Sequence, residues 1–154
     1  MLLDGVNHIG MLTKDTERLS RFYSEVFDVP PARTIHEEPG MKLSLIDIGA
    51  GRELNVFEID GNAEAERQTP MFGRGRLDHI GWQATTIEAF EEIRRRLMAR
   101  GAADDFVTDF GPVLSLFFID PDGLEGEVLV PNPDAVAGTN NPPGTRAAQY
   151  PAQQ

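Results

Sequence analysis

Two of the three histidines in the chain stand in matching sequence contexts, a pattern that indicates a shared metal site. The tetrapeptide Asn7-His8-Ile9-Gly10 recurs as Asp78-His79-Ile80-Gly81, 71 residues further on. Imidazole is a common ligand of divalent transition metals. If the two halves of the chain pair into one sheet, His8 and His79 face the same concavity. The third histidine, His36, has no counterpart, and we interpret it as a solvated turn residue.

A strand near the end of the second half carries the oxygen donor that two histidines lack. Glu125 and Glu127 alternate there with Gly126 and Val128, so both carboxylates lie on one face of the strand. A carboxylate in so apolar a strand needs a compensating partner. The strand therefore offers a candidate third donor to a metal ion.

The internal repeat extends into the helices that must position these residues. An apolar stripe with i, i+3, i+7 spacing occurs twice at the same 71-residue offset and predicts one buried face on each of two helices. Its members are Leu19, Phe22 and Val26, matched by Phe90, Ile93 and Leu97.

Local signals bound the two helices. We expect Asp15 to cap the first helix, Thr85 and Glu88 to form a capping box at the start of the second, and Gly101 to end it.

The remaining apolar segments have the length and composition of strands, separated by glycine-rich or Pro-Asp-Gly turns. The expected strands are Val6–Leu12, Met41–Ile48 and Glu53–Ile59 in the first half, then Leu77–Ala84, Val113–Ile119 and Gly126–Val130 in the second. An extra strand is expected near Arg33–His36 and near Asp105–Thr108. Leu43-Ser44-Leu45 also matches Leu114-Ser115-Leu116 at the 71-residue offset, so each half is predicted to be a strand, a helix and a short meander.

This organisation predicts one domain over residues 1–131 and a tail over residues 132–154. Within the domain we expect a first module over about 5–60, a polar linker over about 61–76 and a second module over about 77–131. The segment from Pro131 onward holds five of the eleven prolines and shows no apolar periodicity. We expect the tail to be ordered only where it lies on another surface.

Composition excludes several classes of function. The 25 acidic against 14 basic residues give a net charge of −11, which repels phosphate backbones and anionic lipids, so neither nucleic acid nor membrane is an expected partner. The absence of cysteine excludes thiolate metal ligands and fits a cytoplasmic protein. The first residues lack the pattern of a secretory leader, so we expect a soluble, unexported protein.

Taken together, these motifs resemble the vicinal oxygen chelate superfamily, which includes glyoxalase I, extradiol dioxygenases and the fosfomycin- and bleomycin-resistance proteins. The matching stretches are residues 7–10, Arg21-Phe22-Tyr23, residues 78–81, and residues 118–123 leading to Glu127. The resemblance implies an α+β fold of two tandem βαβββ modules, whose strands form a curved, cup-like mixed sheet with the helices outside. It also implies a homodimer.

By this resemblance His8, His79 and Glu127 are the ligands of a divalent metal ion, which could be iron, manganese, zinc, nickel or cobalt. Aligning the turn glycines Gly51 and Gly123 places Asn55 opposite Glu127 in the repeat. Glyoxalase I and the related epimerases carry Glu or Gln at that position. Asn55 can orient substrate but cannot act as a general base, and Glu53 on the same face is the nearest carboxylate that could.

We therefore expect a metal-dependent enzyme, dioxygenase-like or glyoxalase-like (a lyase or isomerase), acting on a small molecule that chelates the metal through adjacent oxygens. The competing interpretation is a metal-free protein that binds or sequesters a small molecule, as the bleomycin-resistance members do. A third interpretation is an inactive partner subunit whose tail makes the contact.

Overall fold

The computed structural model describes Leu2, residues 5–67 and residues 69–152, which form two β-α-β-β-β units. The α+β class and the two tandem modules predicted from the sequence are confirmed. The expected domain start, linker and tail also include residues 1, 3, 4, 68, 153 and 154, which lie outside the described residues.

The first unit contains one four-stranded mixed sheet and helix α1. Its elements are β1 (His8–Thr13), α1 (Thr16–Phe27), β2 (Arg33–Glu38), β3 (Met41–Asp47) and β4 (Glu53–Ile59), followed by a 3₁₀ helix (Ala63–Glu66). The strand order is β1-β4-β3-β2, with β1 parallel to β4 and the other neighbours antiparallel.

The second unit repeats this topology. Its elements are β5 (Ile80–Gln83), α2 (Ile87–Ala99), β6 (Val107–Asp109), β7 (Val113–Ile119) and β8 (Glu125–Pro131). The order is β5-β8-β7-β6, again with only the first pair parallel. By their contacts, Pro121–Gly123 belong with the first unit and the remaining residues from Thr69 onward with the second.

The first helix buries its whole apolar stripe, and the second buries Phe90 and Leu97 but leaves Ile93 half-buried. Leu19 and Val26 of α1 and Phe90 and Leu97 of α2 are completely buried, and the two helices contact β4 and β8 respectively. Asp15 caps α1 through a hydrogen bond from the Arg18 N–H.

The start of the second helix differs by one residue from the prediction. Its N-cap is Thr86, which accepts from the Ala89 N–H, rather than Thr85. The capping-box interpretation of Thr85 and Glu88 is wrong because the helix begins at Ile87. Gly101 follows the C-cap, Arg100, and its positive φ of 64° fits the expected helix end. None of the described helices is long and apolar enough to span a bilayer.

Strand register corrects the offset of the repeat. Gly10 pairs with Asn55 in the first unit and Gly81 with Glu127 in the second, so β1 and β5 are 71 residues apart but β4 and β8 are 72 apart. The antiparallel pairs of β3 and β7 also follow the 72-residue offset, because Leu45 is opposite Asn55 and Phe117 is opposite Glu127.

This shift changes which residue of the first unit corresponds to Ser115. The 71-residue match of Ser44 with Ser115 is wrong, and Leu43 is the structural counterpart of Ser115. A shift of one residue places a side chain on the opposite face of a strand, so Ser44 and Ser115 face opposite sides of their sheets.

The tail lies on the second unit. Ala147 N–H donates to the Val107 carbonyl on the side of β6 away from β7, and Asp109 N–H donates to the Thr145 carbonyl. Tyr150 is 5% exposed and its hydroxyl donates to Glu91 of α2. These contacts cover the edge strand β6, whereas all six residues of the corresponding edge strand β2 are exposed.

Candidate metal centre

The second unit brings two of the expected metal ligands together. His79 lies immediately before β5, and Glu127 lies in β8 opposite Gly81. The Nε2 atom of His79 is 3.5 Å from Oε2 of Glu127. The two donor atoms therefore lie close enough to contact one ion.

Glu127 is a nearly buried carboxylate, 8% exposed, whose oxygens have separate partners. Ser115 Oγ donates a hydrogen bond of 2.5 Å to Oε1, while Oε2 faces His79. Ser115 is completely buried in β7. Its side chain lies on the same face of the sheet as Glu127, which is the face away from α2. Its hydrogen bond offsets the cost of burying the carboxylate and fixes the orientation of Oε2.

Gly81 lies against the side chain of Leu129, next to the candidate site. A Cβ atom at Gly81 would lie 2.8 Å from Cδ1 of Leu129 and 3.7 Å from Oε2 of Glu127. An added Cβ at Gly81 would therefore displace the end of the Leu129 side chain, whereas its contact with Glu127 would be an ordinary one. The equivalent Gly10 has open space at its Cβ position.

Asp78 orients the His79 ring. Its Oδ2 lies 2.9 Å from Nδ1 of His79, and its Oδ1 accepts from the Phe72 N–H. The hydrogen bond with His79 is the largest of the effects that lower the pKa of Asp78 below its ordinary value, and the hydrogen bond from the Phe72 N–H lowers it further. An ionised carboxylate only accepts, so Nδ1 carries the hydrogen and the lone pair of the neutral ring lies on Nε2.

The first unit presents a weaker donor set. His8 is exposed at the start of β1, and its Nδ1 lies 2.9 Å from Oδ1 of Asn7, which also leaves Nε2 as the free nitrogen. Glu53 pairs with His8 in the β1–β4 register, and Asn55, two residues later, lies on the same face. The buried Oδ1 of Asn55 has no hydrogen-bond partner among the described residues.

These expected site residues thus fall into two groups, each within its own unit. His79 and Glu127 form a close pair, and His8, Glu53 and Asn55 share one face of the first sheet. Within the described part of the chain, no three His, Asp or Glu side chains cluster closely enough to hold a metal ion. His36 is exposed in β2, beside Glu38, as expected for a solvated residue.

The sequence did not assign a role to Asp78 or Ser115. Asp78 directly precedes His79 in the repeated motif, and this adjacency could have indicated that the carboxylate contacts the imidazole. Ser115 was hidden by the 71-residue match, which pairs it with Ser44 on the opposite face of the first sheet. The donor chemistry of Asp78, His79, Glu127 and Ser115 fits a divalent ion, because one nitrogen and one oxygen are oriented by outer hydrogen bonds.

Comparison with known families agrees with this fold. The family model of the Glyoxalase/Bleomycin resistance protein/Dioxygenase superfamily matches residues 5–128. The chain therefore belongs to this superfamily, which is the vicinal oxygen chelate family that the motifs indicated. No curated protein sequence matches the chain.

Solved structures with the same fold share about a fifth of their sequence with this chain. A glyoxylase/bleomycin resistance protein/dioxygenase domain from Frankia sp. EAN1pec superposes with a TM-score of 0.68 at 22% identity, covering 86% of this chain and 95% of that one. The fosfomycin resistance protein FosX from Listeria monocytogenes gives 0.60 at 22% identity, with 85% and 94% coverage. Lactoylglutathione lyase from Agrobacterium tumefaciens gives 0.58 at 17% identity, with 84% and 96% coverage. These likenesses establish the fold.

Proposed function

We propose that this protein is a metal-dependent enzyme of the superfamily, acting on a small molecule that binds the metal through adjacent oxygen atoms. The observation that carries the proposal is the pair of His79 Nε2 and Glu127 Oε2, each oriented by a further hydrogen bond. A protein that only sequesters a ligand has no need of Asp78 on the imidazole or of Ser115 on the carboxylate. A structure of FosX was obtained with Mn(II), so this fold accommodates a divalent ion in that relative.

In this proposal His8, His79 and Glu127 hold the ion. A bound divalent ion would act as a Lewis acid that polarises substrate oxygens and leaves open positions for substrate and water. The protein residues then bind and orient the substrate. The choice among iron, manganese, zinc, nickel and cobalt follows from geometry and supply.

The proposed catalytic residues of the first unit are Glu53 and Asn55. Asn55 can donate from its amide to a substrate oxygen, and its unpartnered Oδ1 can accept a substrate hydroxyl. Because an amide does not titrate, proton abstraction falls to a carboxylate, and Glu53 lies on the same strand face. This division favours lyase or isomerase chemistry, with dioxygenase chemistry as the alternative if the ion is iron.

The decisive experiment is elemental analysis of protein purified without chelator or affinity tag. We expect near-stoichiometric metal in the wild type and its loss in His8→Ala, His79→Ala and Glu127→Gln. His36→Ala is the matched control, because it removes an imidazole from the same chain at an exposed site, and it should keep its metal.

The outcomes separate the proposed classes. Equal metal loss in His36→Ala and His79→Ala would contradict the ligand assignment. No metal in the wild type, even after reconstitution with Mn(II), Co(II) or Zn(II), would favour the sequestering protein, and ligand screening would follow. Iron would direct assays to catechols and oxygen uptake, and zinc or nickel to isomerase and lyase substrates.

Assembly and substrate class extend the proposal. We expect a homodimer, as members of the family commonly form, and a small-molecule substrate. Sedimentation of the full chain tests the first expectation. A chain truncated after Pro131 tests whether the tail contributes to assembly, as the inactive-partner interpretation requires.

A further inference from the structure

A segment outside the expected ligand set is attached to the candidate metal centre. Residues 69–76 connect the two modules in sequence and belong by their contacts to the second unit. The backbone N–H of Phe72 donates to Asp78 Oδ1, and the N–H of Met71 donates to Glu125 Oε2. Arg74 adds an ion pair to the same Glu125 oxygen at 3.3 Å.

Asp78 divides its two oxygens between this segment and the candidate ligand. Oδ1 holds the Phe72 N–H, and Oδ2 holds Nδ1 of His79. A single rigid carboxylate group thus joins the backbone of the segment to the imidazole ring. Rotation of the carboxylate to suit one partner necessarily changes the geometry at the other.

The residue that donates to Asp78, Phe72, has an unfavourable backbone conformation. Phe72 has a φ of 69°, a backbone conformation that costs energy for a residue with a side chain, and its side chain is 88% exposed. Burial of the Phe72 side chain therefore does not account for this turn. The Gly73 N–H donates to the Pro70 carbonyl across it at 3.0 Å, and the hydrogen bond from the Phe72 N–H to Asp78 ties the same turn to the candidate site.

We propose that Asp78 is a positioning residue that couples residues 69–76 to His79, fixing Nε2 as the free ring nitrogen and holding the Phe72 turn. The inference rests on the proposed function in one respect, since metal binding at Nε2 should then stabilise the same turn. In the first unit the residue before the histidine is Asn7, which contacts His8 through a neutral amide instead of a carboxylate.

The test compares Asp78→Ala and Asp78→Asn with Glu125→Gln in the full-length protein without added metal. Asn can accept one of the two hydrogen bonds but not both, whereas Ala accepts neither. Glu125→Gln is the matched control, because it weakens the attachment of Met71 and Arg74 without touching His79.

Two readouts distinguish coupling from a purely structural role. Nitrogen-15 spectra of the His79 ring should show the Nδ1–H tautomer in the wild type and in Glu125→Gln, and a shift toward Nε2–H in Asp78→Ala. Hydrogen exchange at the Phe72 amide should accelerate at least about tenfold in Asp78→Ala, with an intermediate value in Asp78→Asn. An unchanged tautomer, or unchanged exchange at Phe72, would overturn the proposal.

Addition of Zn(II) tests the link to the metal. Zn(II) should slow exchange at the Phe72 amide in the wild type and leave it unchanged in Asp78→Ala. Equal slowing in both proteins would overturn the coupling. If the wild type binds no Zn(II), Mn(II) or Co(II), the proposed function fails, while the tautomer and exchange rates measured without metal still decide the role of Asp78.

Discussion

The two units share one topology and keep a histidine and a glutamate at equivalent positions, with Glu53 corresponding to Glu125, but three other residues near the histidines differ. In the second unit His79 contacts Asp78, and Glu127 contacts Ser115. The structurally equivalent residues of the first unit are Asn7, Asn55 and Leu43. The second unit therefore carries two carboxylates and a hydroxyl where the first carries two neutral amides and an apolar side chain.

This difference favours separate roles for the two modules in the proposed site, with ion binding mainly in the second and substrate binding mainly in the first. In the proposed metal site Glu127 would supply most of the electrostatic attraction for the ion, because a carboxylate donor attracts a cation far more strongly than an amide does. In the proposed site the first unit would add the imidazole of His8, and we assign Asn55 and Glu53 to the substrate rather than to the ion. A repeat of the fold thus need not imply a repeat of the chemistry.

The largest expected effect comes from removing the carboxylate of the second unit. Glu127→Ala should weaken binding of Co(II) at least about 100-fold, because it deletes a ligand rather than an outer partner. Asn55→Ala, the equivalent truncation in the first unit, should change the affinity by less than about threefold. Isothermal titration of both variants measures the ratio. Comparable losses would show that the two modules contribute equally to the ion.

Packing on the opposite face of the β8 strand gives the next comparison. A Cβ atom at Gly126 would lie 2.5 Å from the ring of Phe118, its cross-strand partner, on the face toward α2. Gly126→Ala should therefore lower the free energy of unfolding by about 1–3 kcal/mol, as overpacking does. Chemical denaturation is the measurement.

Two further variants control this prediction. Gly10→Ala places a Cβ in open space and should leave stability unchanged or slightly raised, because alanine reduces the entropy of the unfolded chain. Phe118→Leu combined with Gly126→Ala should recover part of the lost stability. A Gly126→Ala protein as stable as the wild type would mean that the Phe118 ring adjusts without cost.

The sequence predicted the elements of both units because their signals are local. Apolar stripes, the cap at Asp15 and the glycine-rich turns each depend on a few neighbouring residues. The register of strands is not local. The second unit has one more residue between the apolar stripe of α2 and β7 than the first has between the apolar stripe of α1 and β3. This additional residue changes the offset of the repeat from 71 to 72 residues.

The candidate site shows the same limit. His8, His79 and Glu127 have chemically distinctive types, so they could be selected from the sequence. Ser115 is one of several serines, and only the pairing of β7 with β8 shows which face it occupies. The second role of Asp78, holding the Phe72 turn, depends on the path of residues 69–76, for which the sequence has no periodicity.

Substitution of Ser115 tests the comparison of the two units through a smaller expected change in metal affinity. Ser115→Ala should weaken binding of Co(II) about tenfold, because Glu127 would lose the hydrogen bond that orients its carboxylate. Ser44→Ala is the control suggested by the sequence repeat. Ser44 is also completely buried, but its Oγ contacts Thr34 on the other face of the first sheet. Equal effects of the two substitutions would contradict the 72-residue alignment.

The smallest expected effect concerns pH and a polar trio that only the first unit has. Glu58 Oε2 accepts from the Thr16 N–H at 2.8 Å and pairs with Lys42 at 2.9 Å. The equivalent positions in the second unit are apolar: Ile87, Leu114 and Val130. Burial alone would raise the pKa of Glu58, but the hydrogen bonds from Thr16 and Lys42 outweigh it and lower that pKa.

A lowered carboxyl pKa fixes the sign of the pH dependence. The contribution of Glu58 is fully present above its unfolded pKa of about 4.5 and is lost as the pH falls through the lower folded value. Because the side chain is 30% exposed, we expect a contribution of about 1 kcal/mol or less. Glu58→Gln should therefore accelerate exchange of the Thr16 amide at pH 7, and the difference from the wild type should shrink as the pH falls through the lowered pKa of Glu58. Glu17→Gln removes a charge from the same helical turn as a control, and an identical pH profile in both variants would assign the effect to the helix dipole instead of to the trio.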